Sequence, residues 1–476
     1  MLLVSAPLLL ALAPAALPQD APADQDPRPN VVLLFADDLG WMDLGCQGSS
    51  FYETPHLDAL AASGARFSQA YAAAPVCSPT RVGLMSGQHP ARLHTTDYFT
   101  GGRRGRLLPA EYDSALPLEQ ETLAELFGAQ GYRTFFAGKW HLGGEGYGPL
   151  EQGFDHNVGG FQRGMPPGGY FSPYKNPALE DGPEGEHLTD RLTEECLSFL
   201  EGVGEDPFLL VLSWYAVHTP LQTKPELRAK YQAKADALPE SEAPRFLPEG
   251  ARQARQVQDH AVYAGMLESL DTSVGRVLAA LEARGLDENT IVLFSSDNGG
   301  LSTSEGSPTS NVPLRAGKGW MYEGGIRVPL LLRAPGRTQA GSVFDEPVIT
   351  MDIAPTLLEL AGLGARPDQH LDGRSLVPLL SEGEAWAPRS LYWHYPHYGN
   401  QGGSPSGGVR RGPYKLIEWF EDGRLELYDL ERDLGEQREL SAEQPELAAE
   451  LSAELRAWRA SVDARMPRPN PEYEQD

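Results

Sequence analysis

The run Asn30-Val31-Val32-Leu33-Leu34-Phe35-Ala36 is apolar without interruption and rich in β-branched residues. That is the pattern of a strand covered on both faces in a parallel or mixed α/β sheet. Similar runs recur at Tyr132 to Ala137, Pro207 to Trp214 and Thr290 to Ser296, and Val328 to Leu332 reads as a further strand. Between them the apolar spacing changes to the helical period. Thr54 to Gly64 and Glu121 to Gly131 read as amphipathic helices closed by glycine. Asp259 to Arg284 reads as a longer helix, with Val262, Met266, Leu270, Val274, Val277 and Leu281 on one face and Gly285 beyond its end. Asp352 to Ala361 is another helix. After Asp372 the segments shorten, with strands at Ser390 to Tyr395, Tyr414 to Trp419 and Glu426 to Tyr428 and a closing charged helix from about Gln444 to Ala460. Alternating strands and helices predict an α/β fold: a large mixed, mostly parallel sheet sandwiched by helices, followed by a smaller C-terminal subdomain of antiparallel sheet plus helix. No internal repeat is present.

Composition narrows the possibilities. A chain of 476 residues can bury a large core, and its 51 glycines and 40 prolines predict long surface loops. Acidic residues outnumber basic ones 66 to 39, a formal charge of -27 that argues against a nucleic-acid binder and obliges any anionic substrate to find a local basic pocket. Leu2 to Ala16 is a short apolar run followed by the proline-rich polar stretch Ala21 to Pro27, so residues 1–23 read as a signal peptide and linker, cleaved around Ala15 to Ala23. One departure is the lack of Lys or Arg ahead of the apolar core. No later run is long enough to span a membrane. With no Asn-x-Ser/Thr sequon, the expectation is bacterial export, to the periplasm or beyond. Of three cysteines, Cys46 and Cys196 could pair, leaving Cys77 over.

The chemistry-bearing residues fall at strand ends, where α/β sheets keep their sites. Asp37-Asp38 follows the first strand, and the two carboxylates converge on one ion only if the chain turns there. Such a pair suits Ca²⁺ or Mg²⁺, or else caps a helix. Asp297-Asn298 follows the strand Thr290 to Ser296 and would complete an oxygen cage. Gly138-Lys139-Trp140-His141 follows another, with Lys139 and His141 on one side by strand alternation. His218 sits in the loop after Trp214. In Cys77-Ser78-Pro79-Thr80-Arg81, a helix starting at or just after Pro79 would put Cys77 at its N-terminal end, with Arg81 one turn on and facing the same anionic ligand. Lys318 lies in a glycine-flanked segment that is not a P-loop. Arg103, Arg104 and Arg106 form either an anion-binding rim or a solvated charge cluster. His394 and His397, set among aromatics, either line a pocket mouth suited to a sugar ring or pack in the core.

Cys77 to Gly87 resembles the C-x-P-[ST]-R-x-x-x-x-[ST]-G signature of the type I, formylglycine-dependent sulfatases, and Gly138-Lys139-Trp140-His141-Leu142-Gly143 is similar to that family's second signature. Thr54 to Gly64 resembles its T-P-N-L-D-x-L-A-x-x-G segment, with His56, read as a surface variation, replacing asparagine. Gly317 to Pro329 resembles G-K-x-x-x-x-E-G-G-x-R-V-P. The resemblance runs from Asn30 to about Leu440. It implies an alkaline-phosphatase-like fold, a sulfatase catalytic domain over 28–385 and a C-terminal subdomain over 386–476. It further implies sulfate-ester hydrolysis on a sulfated small molecule or oligosaccharide, with Cys77 oxidised to formylglycine by a formylglycine-generating maturation enzyme. Ca²⁺, with Mg²⁺ as the alternative, would be held by Asp37, Asp38, Asp297, Asn298 and the matured residue made from Cys77. Arg81 would stabilise the hydrated aldehyde, while Lys139, Lys318 and His218 would bind the sulfate. His218 would also protonate the leaving oxygen, and His141 would help expel sulfate. Two other readings are a phosphate or phosphonate monoester hydrolase on the same scaffold, and a non-catalytic binder of sulfated glycans. Retention of Cys77, Arg81 and every metal ligand argues against the second.

Overall fold

A computed structural model describes residues 28–99, 101–240, 242–381 and 386–473. The segment read as a signal peptide lies outside the described residues. Among them, eight strands form one sheet in the order Ser342–Phe344, Ala65–Phe67, Leu330–Arg333, Thr290–Ser296, Asn30–Ala36, Phe208–Ser213, Arg133–Gly138 and His156–Val158. The last five run parallel to one another. Leu330–Arg333 is antiparallel to Thr290–Ser296 and to Ala65–Phe67, which makes the sheet mixed.

The continuous apolar runs are explained by burial on both faces. Val32 and Leu34 pack with Leu210, Leu212, Val292 and Phe294 against Met266, Leu270, Val274 and Val277 of the helix Ala261–Ala283. Val31, Leu33 and Phe35 point the other way, with Leu209, Val211 and Leu293, onto Val82, Leu84 and Met85 of the helix Cys77–Ser86 and onto the helix Ile353–Leu360. Each fully buried Val, Leu or Phe in these layers stabilises the fold by about 1.5–3 kcal/mol. A one-residue slip would exchange the two layers, so the strand ends are held in a single register.

The C-terminal region is a four-stranded antiparallel sheet in the order Ser390–Tyr395, Ser406–Arg411, Tyr414–Trp419 and Leu425–Asp429. One face carries Trp393, Tyr395, Ile417 and Trp419 onto Tyr71, Trp320 and Met321 of the larger body. The opposite face packs Val409, Leu416 and Leu427 under Leu451 and Leu455 of the helix Pro445–Ser461. The sequence pattern does not predict the strand Ser406–Arg411: Ser406-Gly407-Gly408 has loop composition, and only pairing on both sides makes it a strand. Cys46, Cys77 and Cys196 are all free thiols, so the pairing left open for Cys46 and Cys196 is absent here. Among the described residues no helix is long and apolar enough to cross a membrane.

Candidate active site

Strand pairing assembles the site. Asn30–Ala36 and Thr290–Ser296 stay in parallel register to their last residues, Ala36 opposite Ser296, so Asp37-Asp38 and Asp297-Asn298 emerge side by side. The turn needed for both carboxylates to converge is present, with Asp38 in the left-handed region at φ 61°. The Asp38 amide donates to Asp297 Oδ1 at 3.1 Å, and Asn298 Nδ2 donates to Asp38 Oδ1 at 2.8 Å. On the other side of the first strand, Gly138 faces Ser213, and the Lys139 amide donates to Ser213 O at 2.7 Å. The chain beyond Ser213 is laced to the first turn by Asp37 N to Ala216 O, 3.0 Å, and Val217 N to Asp37 O, 2.7 Å, which delivers His218 beside Asp38.

The helix carrying the nucleophile candidate begins at Cys77, two residues before Pro79, with the proline in its first turn. Cys77 Sγ lies 3.3 Å from His141 Nδ1. Strand alternation does not bring His141 there: its own strand ends at Gly138, and His141 adopts φ 57° in the turn beyond. Gly164 covers the imidazole, and a Cβ at that position would lie 2.5 Å from His141 Cε1.

Cys77, His141, His218 and Lys318 line a cavity of about 330 Å³, together with Tyr98, Arg103, Met165, Glu305, Asn400 and Gln401. The carboxylates lie behind this wall, fully buried. Lys318 Nζ pairs with Asp38 Oδ1 at 2.7 Å, and His218 Nε2 stands 3.8 Å from Asp38 Oδ2. His218 Nδ1 must donate to Thr219 O at 2.7 Å, because a carbonyl can only accept, which leaves Nε2 directed at the site.

Two expected contacts differ. The sequence places Lys139 and Arg81 against the anion, yet neither lines the cavity. Lys139 is fully enclosed, with Nζ 2.7 Å from Asp37 Oδ2. Arg81 donates through Nε to Asp297 Oδ2 at 2.9 Å and through Nη1 to Lys139 O and Ser213 Oγ at 2.9 and 2.6 Å. Both brace carboxylates from behind, because the buried charges of Asp37 and Asp297 need partners. Lys318 is the lysine that reaches the cavity. Of the three loop arginines, which are all exposed, Arg103 lines it. His394 and His397 are buried away from the mouth, bonded to Arg465 O and Thr96 Oγ1. His56 is exposed, as its reading as a surface variation required. Sequence reasoning missed Glu305, Asn400 and Gln401, whose approach to the cavity has no local signature.

Electrostatics follow from burial and neighbours. Burial opposes ionisation of Asp38, but Lys318, His218 and Lys139 outweigh it and hold the carboxyl below the usual range. For Asp37, burial wins over Lys139, with Asp297 and Asp38 adding repulsion, and its proton affinity is raised. His218 is lowered to about 4 by burial and by Lys318, against the pull of Asp38. Burial, Lys139 and Arg81 lower His141 as well, and burial raises the Cys77 thiol.

The donor set fits a hard divalent cation. Asp37, Asp38 and His218 offer ligand atoms within 4.8 Å of one another. Asp37 Oδ1 and Asn298 Oδ1 are buried with no hydrogen-bond partner, an expensive arrangement that an oxygen-seeking cation relieves.

A nucleophile candidate on a helix start, backed by carboxylates at parallel strand ends, fits a hydrolase of the alkaline-phosphatase-like class. The crystal structure of Ps i-CgsB in complex with k-i-k-neocarrahexaose shares the architecture, with a TM-score of 0.75 and 28% identity over 94% of this chain and 95% of that one. The Sulfatase family model matches residues 29–363, and a model described as N-sulphoglucosamine sulphohydrolase, C-terminal, matches 316–461. Relatives include a Sulfatase of Formosa agariphila, 32% identical over 94% of this chain and 92% of its own. Human Arylsulfatase A is 33% identical over 92% and 88%. The chain belongs to the sulfatase family and is a sulfuric ester hydrolase.

Proposed function

We propose that the protein removes sulfate from a carbohydrate, using residue 77 after conversion of Cys77 to formylglycine and a calcium ion held by Asp37, Asp38, Asp297 and Asn298. The observation that carries this reading is the meeting of Cys77, His141, His218 and Lys318 on one cavity wall, directly in front of those oxygen donors. The carbohydrate part is supported by a structural relative that binds a neocarrahexaose. Export, read from the N-terminal run, would bring the enzyme to such a substrate.

Asp37, Asp38, Asp297 and Asn298 would hold calcium, which would supply Lewis-acid polarisation of a sulfate oxygen, and the hydrated aldehyde at residue 77 would supply the attacking oxygen. The chain's own groups do the rest. Lys318 holds the sulfate by charge-assisted hydrogen bonds, while Lys139 and Arg81 keep Asp37 and Asp297 in position. His141, beside residue 77, accepts the proton of the second hydroxyl as the C–O bond to sulfate breaks, which releases sulfate and re-forms the aldehyde for the next water to hydrate. His218 presents Nε2 to the departing alcohol and protonates it. Burial and Lys318 disfavour the imidazolium, and a sulfate anion seated between the two provides the counter-charge that lets His218 carry that proton.

Comparing sulfate and phosphate esters of one leaving group tests the class of reaction, and faster phosphate turnover would sink the reading. The role of His218 has its own test. His218→Ala should cut kcat/KM on a sugar sulfate by about 10²–10⁴-fold, and less on an aryl sulfate, whose phenoxide departs without a proton. Equal losses on both substrates would remove the acid role.

A further inference from the structure

Glu305 stands at the cavity without an assigned task. It is exposed, yet its carboxylate is pinned from two directions. Oε2 accepts from Thr219 Oγ1 at 3.1 Å, and Oε1 accepts from Asn400 Nδ2 at 2.5 Å and Gln401 Nε2 at 3.1 Å. The backbone of Gln401 is itself anchored, since its main-chain carbonyl accepts from Trp320 Nε1 at 3.1 Å and from Thr303 Oγ1 at 2.9 Å. An exposed glutamate usually samples several rotamers at little cost, so fixing one with three donors is unusual. A carboxylate offers about four acceptor positions, and three donors leave room for another.

The placement identifies the missing donor. Thr219 Oγ1 is 3.1 Å from Glu305 Oε2 and 3.4 Å from His218 Nδ1, so the carboxylate is one side chain away from the imidazole that faces the leaving oxygen. A group that contacts Glu305 would therefore belong to the leaving alcohol, beside the Nδ1 edge of the imidazole and away from the ester oxygen that Nε2 faces. A neutral hydroxyl satisfies a fixed carboxylate, and a second anion on the same carbon framework is repelled. Tyr98 and Met165 add apolar faces to the same cavity, the mixture that a sugar ring requires.

We propose that Glu305, held by Thr219, Asn400 and Gln401, is a specificity-determining residue that accepts a hydrogen bond from a hydroxyl of the sugar that carries the sulfate. This rests on the sulfatase reading of the site and selects, within it, a hydroxylated sugar ring in place of a bare aryl or apolar alcohol. A site built to bond a hydroxyl rejects analogues lacking it far more strongly than a hydrophobic pocket rejects a change of size.

The experiment measures kcat/KM for a panel of hexose sulfates, for their analogues deoxygenated at one ring position at a time, and for p-nitrophenyl sulfate. Each is run with the wild type and Glu305→Gln after mass spectrometry has shown the state of residue 77. The ratio of hexose sulfate to p-nitrophenyl sulfate turnover is expected to fall roughly tenfold or more in Glu305→Gln. Deoxygenation at one of those positions should cost the wild type a similar factor and the variant little. An unchanged ratio overturns the proposal. Should the variant melt early, the wild-type comparison decides, and equal turnover of hydroxylated and deoxygenated sugars overturns it. Hydrolysis of the aryl ester but of no sugar sulfate also overturns it while leaving the sulfatase reading intact. Failure on every sulfate ester by protein with a converted residue 77 overturns the sulfatase reading itself.

Discussion

Cys77→Ala is expected to lower kcat by at least roughly 10⁴-fold, since removing a nucleophile disables the whole catalytic unit and leaves only binding and electrostatic assistance. Folding should be nearly untouched. Cys77 opens the helix Cys77–Ser86, its Sγ contacts His141 across a cavity wall, and alanine is a better helix former than cysteine. The thermal midpoint should therefore stay within about 3 °C of the wild type. The check is paired: steady-state turnover of an aryl sulfate and a calorimetric scan on the same preparation. Retention of a few per cent of wild-type turnover would assign the nucleophile elsewhere. A collapse of the midpoint would instead make Cys77 a packing residue.

Removing divalent cations should have the second largest effect, lowering turnover by at least about 10³-fold, because several kcal/mol of charge stabilisation would be lost with them. Asp37, Asp38 and Asp297 are fully buried and braced by Lys139, Lys318 and Arg81, while Asp37 Oδ1 and Asn298 Oδ1 lack partners. Calcium at a hundredfold excess over its Kd should add about 2.7 kcal/mol to stability, so the thermal midpoint gives a readout independent of turnover. Chelated protein should melt several degrees earlier, and calcium should restore both midpoint and activity. A midpoint insensitive to chelator and calcium would count against the oxygen cage even if activity fell.

The site was partly legible along the chain because its fixed points are local. Asp37-Asp38, Lys139, His218 and Asp297-Asn298 each follow an apolar run, and the end of such a run marks the carboxyl end of a strand. What lay beyond reach was direction. Lys139 and Lys318 have the same chemistry, but one is enclosed behind Asp37 and the other faces the cavity. Arg81 turns to Asp297 because the buried carboxylate draws it. His141 arrives through a left-handed turn that no period-two pattern describes. Glu305 and Asn400 meet across 95 residues of chain and owe their contact to the C-terminal sheet packing on Tyr71 and Trp320.

The sequence by itself determined the continuous apolar strands of the large sheet and the residue types waiting at their ends, since hydrophobic period and turn chemistry act over a few residues. Only the tertiary structure decided which charges face substrate and which neutralise one another, because that choice depends on loop dihedrals and on the cost of burying an unpaired charge among distant neighbours.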